Sequence, residues 1–396
     1  MITREAVRLF KNSNAFIGNI DSQYDDQFAK TGAKIGTQLR IRLPNDYIVS
    51  NGPALAIQST NEQSTTLTVA TQRHVDVSFT SVDRTMSLDD YSEIVMAPMV
   101  NALAGNVAST IMSGVEGGIC NLVSNVDGSN NIISPTSDTW LAAGASLDDN
   151  SADVANRKIV ASPTSMARSV SSLSGLFNPA QEISRQYRNA RIYDALNFEW
   201  FSDQTTLVHT TGTFSAGTVN GANQTGTTLT VNAITGTLNA GDIITIAGVD
   251  AVNRVTKVDT GSLRQFVVTA NVSSGATSIP IYPAILGVDG GGNPQPYQTV
   301  TASPANGAVI SLATPASGKY RKNIAYARQA VTMVTADLEI PAGGIIEGAR
   351  SRQDGVSMRM ISQYLINSDE SATRLDVLFG YLFVRPEWAV AVCDKL

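Results

Sequence analysis

The sequence predicts an α+β chain: a long helix laid across a sheet, with a small β-barrel domain inserted into a loop of the parent fold. Three observations carry this reading. Residues 38–43, Gln-Leu-Arg-Ile-Arg-Leu, alternate strictly between polar and apolar, as a strand with one apolar and one basic face does. Between Met99 and Val123 apolar residues recur every four positions without a proline. From Thr210 to Tyr320 only 8 residues are charged, and Thr, Val, Ile, Gly and Ser dominate. At 396 residues the chain is long enough for two or three domains of about 150 residues each.

In chain order, residues 1–35 open with a basic-apolar stretch from Arg4 to Lys11 and read as a short helix followed by an irregular arm. Residues 36–83 form a two-stranded excursion. Alternation at 38–43 gives way to turn residues Pro44-Asn45-Asp46 and Asn51-Gly52-Pro53. It resumes at Thr66–Val69 and Val75–Phe79. An isolated hairpin has too little core to stand alone, so this ribbon must lie on its own body or on a neighbouring chain. Ser87-Leu88-Asp89-Asp90 resembles a capping box with Asp in place of Glu. The helix is then expected from about 98 to 123, with Met99, Leu103, Val107, Ile111, Val115, Ile119 and Val123 in one row. About 26 residues at 1.5 Å each give roughly 39 Å. The row drifts around the axis because a turn takes 3.6 residues, so more than one element must cover it.

Residues 124–157 read as loop, short helix around Trp140–Ala143, and loop; Lys158–Ala161 reads as a strand. Ser162-Pro163 opens a helix through Leu173, with proline where a first turn tolerates it. Asn178-Pro179 repeats the signal. In the charge-poor segment, strand-like runs at 227–231, 243–246, 254–258, 265–269, 278–282 and 308–312 are separated by turn signals such as Asp259-Thr260-Gly261. Short strands at this spacing indicate a small barrel or sandwich. Because mixed α/β character resumes after Lys322, the segment reads as an insertion. Ile324–Ala336 is ambiguous between helix and strand, Met358–Ile366 is strand-like, and Arg374–Val392 reads as a buried strand pair.

Scarce residue types exclude most chemistry. Cys120 and Cys393 form no C-x-x-C pair, so a structural zinc site is not expected, and two buried thiols are expected over a disulfide. His74 and His209 lie in strand-like runs away from any G-x-S-x-G elbow, and a structural role is expected for each. No phosphate-cradling G-x-x-x-x-G-K-[ST] occurs, and Gly287–Pro294 reads as a surface turn. Acidic pairs at Asp25-Asp26, Asp89-Asp90 and Asp148-Asp149 lack calcium-loop spacing. No catalytic, cofactor-binding or metal site is predicted. A net charge of −6 is unsuited to gripping nucleic acid. No run of 18 apolar residues spans a membrane, and the Met-Ile-Thr-Arg-Glu start lacks the apolar core of a signal peptide.

Several stretches, in order, resemble the major capsid (coat) proteins of tailed bacteriophages, in the short-tailed-phage group that carries an inserted domain. They are the ribbon at 36–83, the helix at 98–123, Gln186–Ile192 leading to Leu196-Asn197-Phe198-Glu199-Trp200, and His209-Thr210-Thr211-Gly212. Ala240-Gly241-Asp242-Ile243-Ile244-Thr245-Ile246-Ala247-Gly248-Val249 and the terminal Arg374–Ala389 complete the set. The resemblance implies a Johnson-type capsid fold: N-terminal arm 1–35, E-loop 36–83, peripheral domain with spine helix 84–126, axial domain 127–211, inserted β-barrel 212–320, and a return to the peripheral and axial domains over 321–396. It implies self-assembly into pentamers and hexamers of an icosahedral head, built in the host cytoplasm with scaffolding and portal proteins. DNA would be packaged nearby without specific binding, and no cofactor, membrane or enzymatic activity is implied. The first loop of the insertion, Ala216–Gly226, has no charge, unlike the charged intercapsomer loops of some relatives.

Two other readings compete. One is a different self-assembling β-rich structural protein, such as a tail tube, fibre or surface layer. The other is a glycosidase using Asp89 and Glu93. Those two carboxylates lie four residues apart on one helix face and would not flank a bond as a glycosidase pair must, about 5–9.5 Å apart. Candidate intersubunit contacts are Arg40, Arg42 and Arg73, offered to acidic partners on a neighbour, with a solvated strand face as the alternative. Arg385 and Glu387 are candidates to pair with each other or with other chains.

Overall fold

The computed structural model describes residues 6–10, 14–24, 38–50, 52–53, 55, 57–58, 62–80, 95–173, 192–341, 346–353 and 355–396. The capping signals at Ser87–Asp90 and Asn178-Pro179, the pair Asp25-Asp26, Glu93 and most of the Gln186–Ile192 stretch lie outside these residues. The chain divides into two compact units. The first is Met1–Leu43, Ser64–Ile111 and Val331–Val384; the second is Pro44–Gln63, Met112–Ala330 and Arg385–Leu396.

The first unit is built on a six-stranded sheet. Its strands are β1 (Asp21–Tyr24), β4 (Thr71–Thr80), β18 (Val331–Ala336), β19 (Ile346–Gln353), β20 (Val356–Leu365) and β21 (Glu370–Phe383). The order is β1-β18-β21-β20-β19, with β4 paired to β21. Only the β1–β18 pairing is parallel. A short helix α1 (Ala15–Asn19) precedes β1; Asn14 caps it by accepting from the Phe16 and Ile17 amides. The alternation at 38–43 makes β2 (Gln38–Arg42), paired antiparallel with β3 (Ser64–Thr68). Leu39, Ile41 and Leu67 turn inward onto Val69, Val334, Ala336, Leu378 and Leu382. The alternation at 75–79, grouped with the ribbon by sequence, belongs to β4 and is paired along β21.

The long helix α2 runs Ala97–Glu116. Its buried residues Val100, Leu103, Ala104, Val107, Ala108, Ile111, Met112 and Val115 recur at the three- and four-residue spacing of one helical face. It stops about two turns before the predicted end. Gly117-Gly118 turn the chain, and Ile119 and Val123, which continued the apolar row, enter or flank strand β5 (Asn121–Val123).

The second unit holds two sheets and a two-stranded pair, β6 (Asn125–Val126) with β7 (Ile132–Ile133). The seven-stranded sheet adds β8 (Arg157–Ala161), β9 (Asp194–Ala195), β10 (Phe198–Ser202), β11 (Leu207–Thr210), β17 (Lys319–Ala327) and β22 (Ala389–Lys395) to β5. Its order is β5-β22-β17-β8-β10-β9, with β11 on β17. The closing apolar run is therefore two buried strands in different sheets, β21 and β22, separated by a short turn of helix at Pro386–Trp388. Helix α3 (Ser137–Asp149) begins at a capping box between Thr136 and Thr139 and buries Trp140, Ala143 and Leu147. Trp140 meets Trp200 edge-on at 4.7 Å. Helix α4 (Pro163–Leu173) starts as predicted, with Ser162 Oγ accepting from the Ser165 amide. Cys120 and Cys393 are free and buried.

The charge-poor segment forms its own five-stranded sheet. It contains β12 (Gly226–Thr230), β13 (Ile243–Val252), β14 (Asp259–Val268), β15 (Ser278–Ile285) and β16 (Ile310–Leu312) in the order β12-β15-β14-β13-β16. Phe214, Leu229, Ile244, Ile246, Phe266, Ile279, Ile281 and Ile310 belong to its separate apolar core. Two local expectations fail here. Residues 254–258 are a turn, because Asn253 Oδ1 accepts from the amides of Val255 and Thr256 and Lys257 takes φ +56°. Asp259-Thr260-Gly261, expected as the turn, opens β14.

Candidate functional site

Among the described residues of the second unit, a cluster of buried charge gathers where the five-stranded sheet meets the seven-stranded one. His209 on β11 is 4% exposed. Its Nδ1 lies 2.6 Å from Glu116 Oε1 at the end of α2, and its Nε2 lies 2.7 Å from Asp242 Oδ1 in the turn before β13. Lys322 on β17, also buried, donates to the Gly241 carbonyl at 2.8 Å and lies 3.4 Å from Glu116 Oε1. Asp242 Oδ2 accepts from the amides of Gly212 (3.0 Å) and Asn239 (2.7 Å). Both ring nitrogens of His209 face carboxylate oxygens, an arrangement that suits the doubly protonated imidazolium.

The pKa directions agree with this geometry. Burial alone would lower His209, but its hydrogen bonds to Asp242 and Glu116 outweigh it and hold the ring above its ordinary value. Burial would raise Glu116, yet the His209 hydrogen bond and the Lys322 charge bring it below. Burial pulls the Lys322 ammonium down against the attraction of Glu116. Two cations and two carboxylates thus neutralise one another out of water, and every carboxylate has a partner. The arrangement ties the end of α2, β11, the turn before β13 and β17 together.

The residues singled out by sequence lie elsewhere. Arg40 and Arg42 are exposed on β2, opposite the face carrying Leu39 and Ile41. Arg73 on β4 is exposed and donates to Asn106 Oδ1 at 3.1 Å. Arg385 stacks over the Trp388 ring at 4.2 Å, while Glu387 accepts from the Tyr282 hydroxyl at 3.0 Å. These two neighbours in sequence therefore each hold a further partner, while the charge of Glu387 still attracts Arg385. His74, also exposed, lies 3.0 Å from Asp76. Burial pushes the Cys120 and Cys393 thiols up to about 12, which keeps both protonated at neutral pH. Among the described residues no group of three or more His, Cys, Asp or Glu is placed to hold a metal. No described helix is long and apolar enough to cross a membrane.

The family model described as "P22 coat protein - gene protein 5" matches residues 37–392. The chain belongs to the P22 coat protein family. It is accordingly a major capsid protein, the subunit of an icosahedral phage shell, with the α+β capsid fold that its sequence predicts. No curated protein sequence matches it. Among solved structures it is similar to a chain from Mycobacterium phage Che8, with 11% identity and a TM-score of 0.45, covering 96% of this chain and 90% of that one. A chain of the capsid of cyanophage P-SCSP1u shares 11% identity at a TM-score of 0.45, covering 96% and 88%. The CUS-3 coat protein I-domain shares 28% identity at a TM-score of 0.20, covering 25% of this chain and 94% of that chain.

Membership of the P22 coat family sets aside the tail-tube, fibre and surface-layer readings. It also gives physical content to two motifs. His209-Thr210-Thr211-Gly212 and Ala240-Gly241-Asp242 meet: the ring of His209 and the amide of Gly212 both bond Asp242. Sequence reading assigned His209 a structural role but missed its partners Glu116, Asp242 and Lys322. The available signal was scarcity. Asp242 is one of only 8 charges between Thr210 and Tyr320.

Proposed function

We propose that this coat protein forms the pentamers and hexamers of a tailed-phage head that encloses double-stranded DNA, doing so without catalysis. The observation that carries the proposal is the family match, which spans both compact units and the five-stranded sheet. On this reading residues 1–35 are the N-terminal arm, 36–83 the E-loop, 84–126 the peripheral domain with its spine helix, 127–211 the axial domain, 212–320 the inserted β-barrel, and 321–396 the return. The shell assembles in the host cytoplasm with scaffolding and portal proteins. A net charge of −6 supports a lumen that leaves packaged DNA loosely held.

Arg40, Arg42 and Arg73 are the contacts proposed to meet acidic groups of a neighbouring copy. Their exposure on β2 and β4 supports this. Arg385 and Glu387 already hold Trp388 and Tyr282, so any contact they make with a neighbour adds to these in-chain bonds. Negative-stain microscopy of the expressed protein tests the proposal. Closed shells with fivefold and sixfold capsomers are expected; tubes or flat sheets would overturn it.

A further inference from the structure

The stretch between β2 and β3 carries an unusual amount of bare apolar surface. Val49 is 89% exposed, Leu55 87% and Ile57 85%. Lone exposed apolar residues are ordinary, but three of them between positions 49 and 57 of one connection favour an interaction surface. This loop is held closed at its neck. The Gln58 side chain accepts from the Ile48 amide at 2.9 Å and donates to the Ile48 carbonyl, so one amide serves both backbone groups as a paired strand would. Just before the neck, Asp46 receives two guanidinium bonds from Arg254, at 3.0 and 3.4 Å, and Asn45 Oδ1 accepts from the Tyr297 hydroxyl at 3.3 Å. Arg254 lies in the turn after β13 and Tyr297 in the connection after β15, both in the charge-poor segment. Lys257, in the same turn, donates to the Pro296 carbonyl at 2.5 Å and so links the turn to that connection. Asp46 and Arg254 are both mostly buried, with side chains 20% and 25% exposed.

We propose that the inserted β-domain braces residues 45–48 of its own chain through Arg254–Asp46 and Tyr297–Asn45, and that this neck, closed by Gln58, presents Val49, Leu55 and Ile57 to a second copy of this chain. The occupant follows from the family, whose members build shells from copies of one chain; the inference therefore rests on the capsid reading. Ordering an interface loop costs about 0.5–1.5 kcal/mol per immobilised side chain when it happens at docking, and a brace removes that cost beforehand. It also gives a structural role to Arg254, one of the 8 charges in its segment.

The test uses the full chain. Backbone amide exchange over 45–58 is measured in the unassembled protein, and shell yield under conditions where wild type assembles. Arg254→Asp is expected to speed exchange across the loop at least tenfold and to cut shell yield by a similar factor, with the thermal midpoint little changed. The double swap Asp46→Arg, Arg254→Asp is expected to restore both. Val49→Asp with Ile57→Asp should abolish shells while leaving exchange at the neck slow. Unchanged exchange in Arg254→Asp, or a double swap that restores neither readout, overturns the brace. Wild type that forms no shells while the exchange results hold would instead sink the capsid reading.

Discussion

His209 shows how one side chain comes to hold three segments, its own strand, the end of α2 and the turn before β13. Replacing it with Phe keeps a ring but takes one cationic partner from both Glu116 and Asp242, leaving Glu116 with Lys322 and Asp242 with the amides of Gly212 and Asn239. Removing one partner from a buried charge pair costs about 3–5 kcal/mol. The effect has a sign in pH. A group whose folded pKa is raised, as for His209, contributes fully below its ordinary value of 6.5 and loses that contribution as pH climbs through the folded value. Glu116, lowered on folding, contributes above its ordinary 4.5 and loses that contribution as pH falls through the folded value. Both contributions are complete between those ordinary values. Urea unfolding of wild type and His209→Phe should therefore show the largest gap near pH 5.5 and a narrower one at pH 9. An equal gap at both would remove the imidazolium from the account.

The first unit carries a parallel case. Asp376 on β21 is fully buried and receives Arg359 at 2.7 Å, Arg374 at 2.7 Å and Gln72 at 3.0 Å. Burial would raise its pKa, but the hydrogen bonds from Arg359, Arg374 and Gln72 bring it below the ordinary carboxylate value. Its contribution is present at neutral pH and lost as pH falls through the folded value. Asp376→Asn is expected to destabilise the chain at pH 7 and to lose much of that effect in strong acid, read from denaturant midpoints at both pH values.

At the scale of elements, two glycines make opposite predictions. A Cβ on Gly380 of β21 would sit 2.2 Å from the Thr68 carbonyl oxygen, against the backbone of β3. Gly380→Ala must push the β2–β3 ribbon off its apolar bed, and overpacking of this kind costs about 1–3 kcal/mol. Gly105, within α2, has nothing within 4 Å of its Cβ position. Gly105→Ala is expected to stabilise by roughly 0.5–1 kcal/mol through helix propensity alone. Denaturant midpoints should move in opposite directions; a loss on Gly105→Ala would mean that the helix needs the missing Cβ.

Elements were legible where one period governed them. The four-residue apolar row announced α2, and Ser162-Pro163 announced α4, because helix starts are written in local chemistry. The end of α2 was not legible: Ile119 and Val123 keep the spacing while serving β5. Likewise Arg254–Val258 has the β-branched content of a strand, but Asn253 caps it into a turn. The tie at His209 was out of reach for another reason. Its carboxylate partners lie 93 and 33 residues away in sequence, and only the sheet order brings them together.

At the scale of the whole molecule, what a shell subunit requires is a surface that can be altered without altering the fold, since assembly and folding then answer to different residues. The β2 ribbon has this division. Its inward residues Leu39 and Ile41 pack on Val334, Ala336, Leu378 and Leu382, while Arg40 and Arg42 point outward across from Thr66 and Ser64. Surface substitutions away from core and caps typically change stability by no more than about 0.5 kcal/mol. Arg40→Glu with Arg42→Glu should therefore leave the unfolding midpoint of the unassembled chain nearly unmoved. Under the proposed contact of Arg40 and Arg42 with a neighbour's acidic groups, shell yield is expected to fall steeply, because the new carboxylates would repel those groups. Raising salt should soften that loss, since exposed charges are screened over about 8 Å at physiological ionic strength and over about 3 Å at 1 M. Sedimentation at low and high salt reads both outcomes, and normal shells from the doubly reversed variant at low salt would take Arg40 and Arg42 out of the interface.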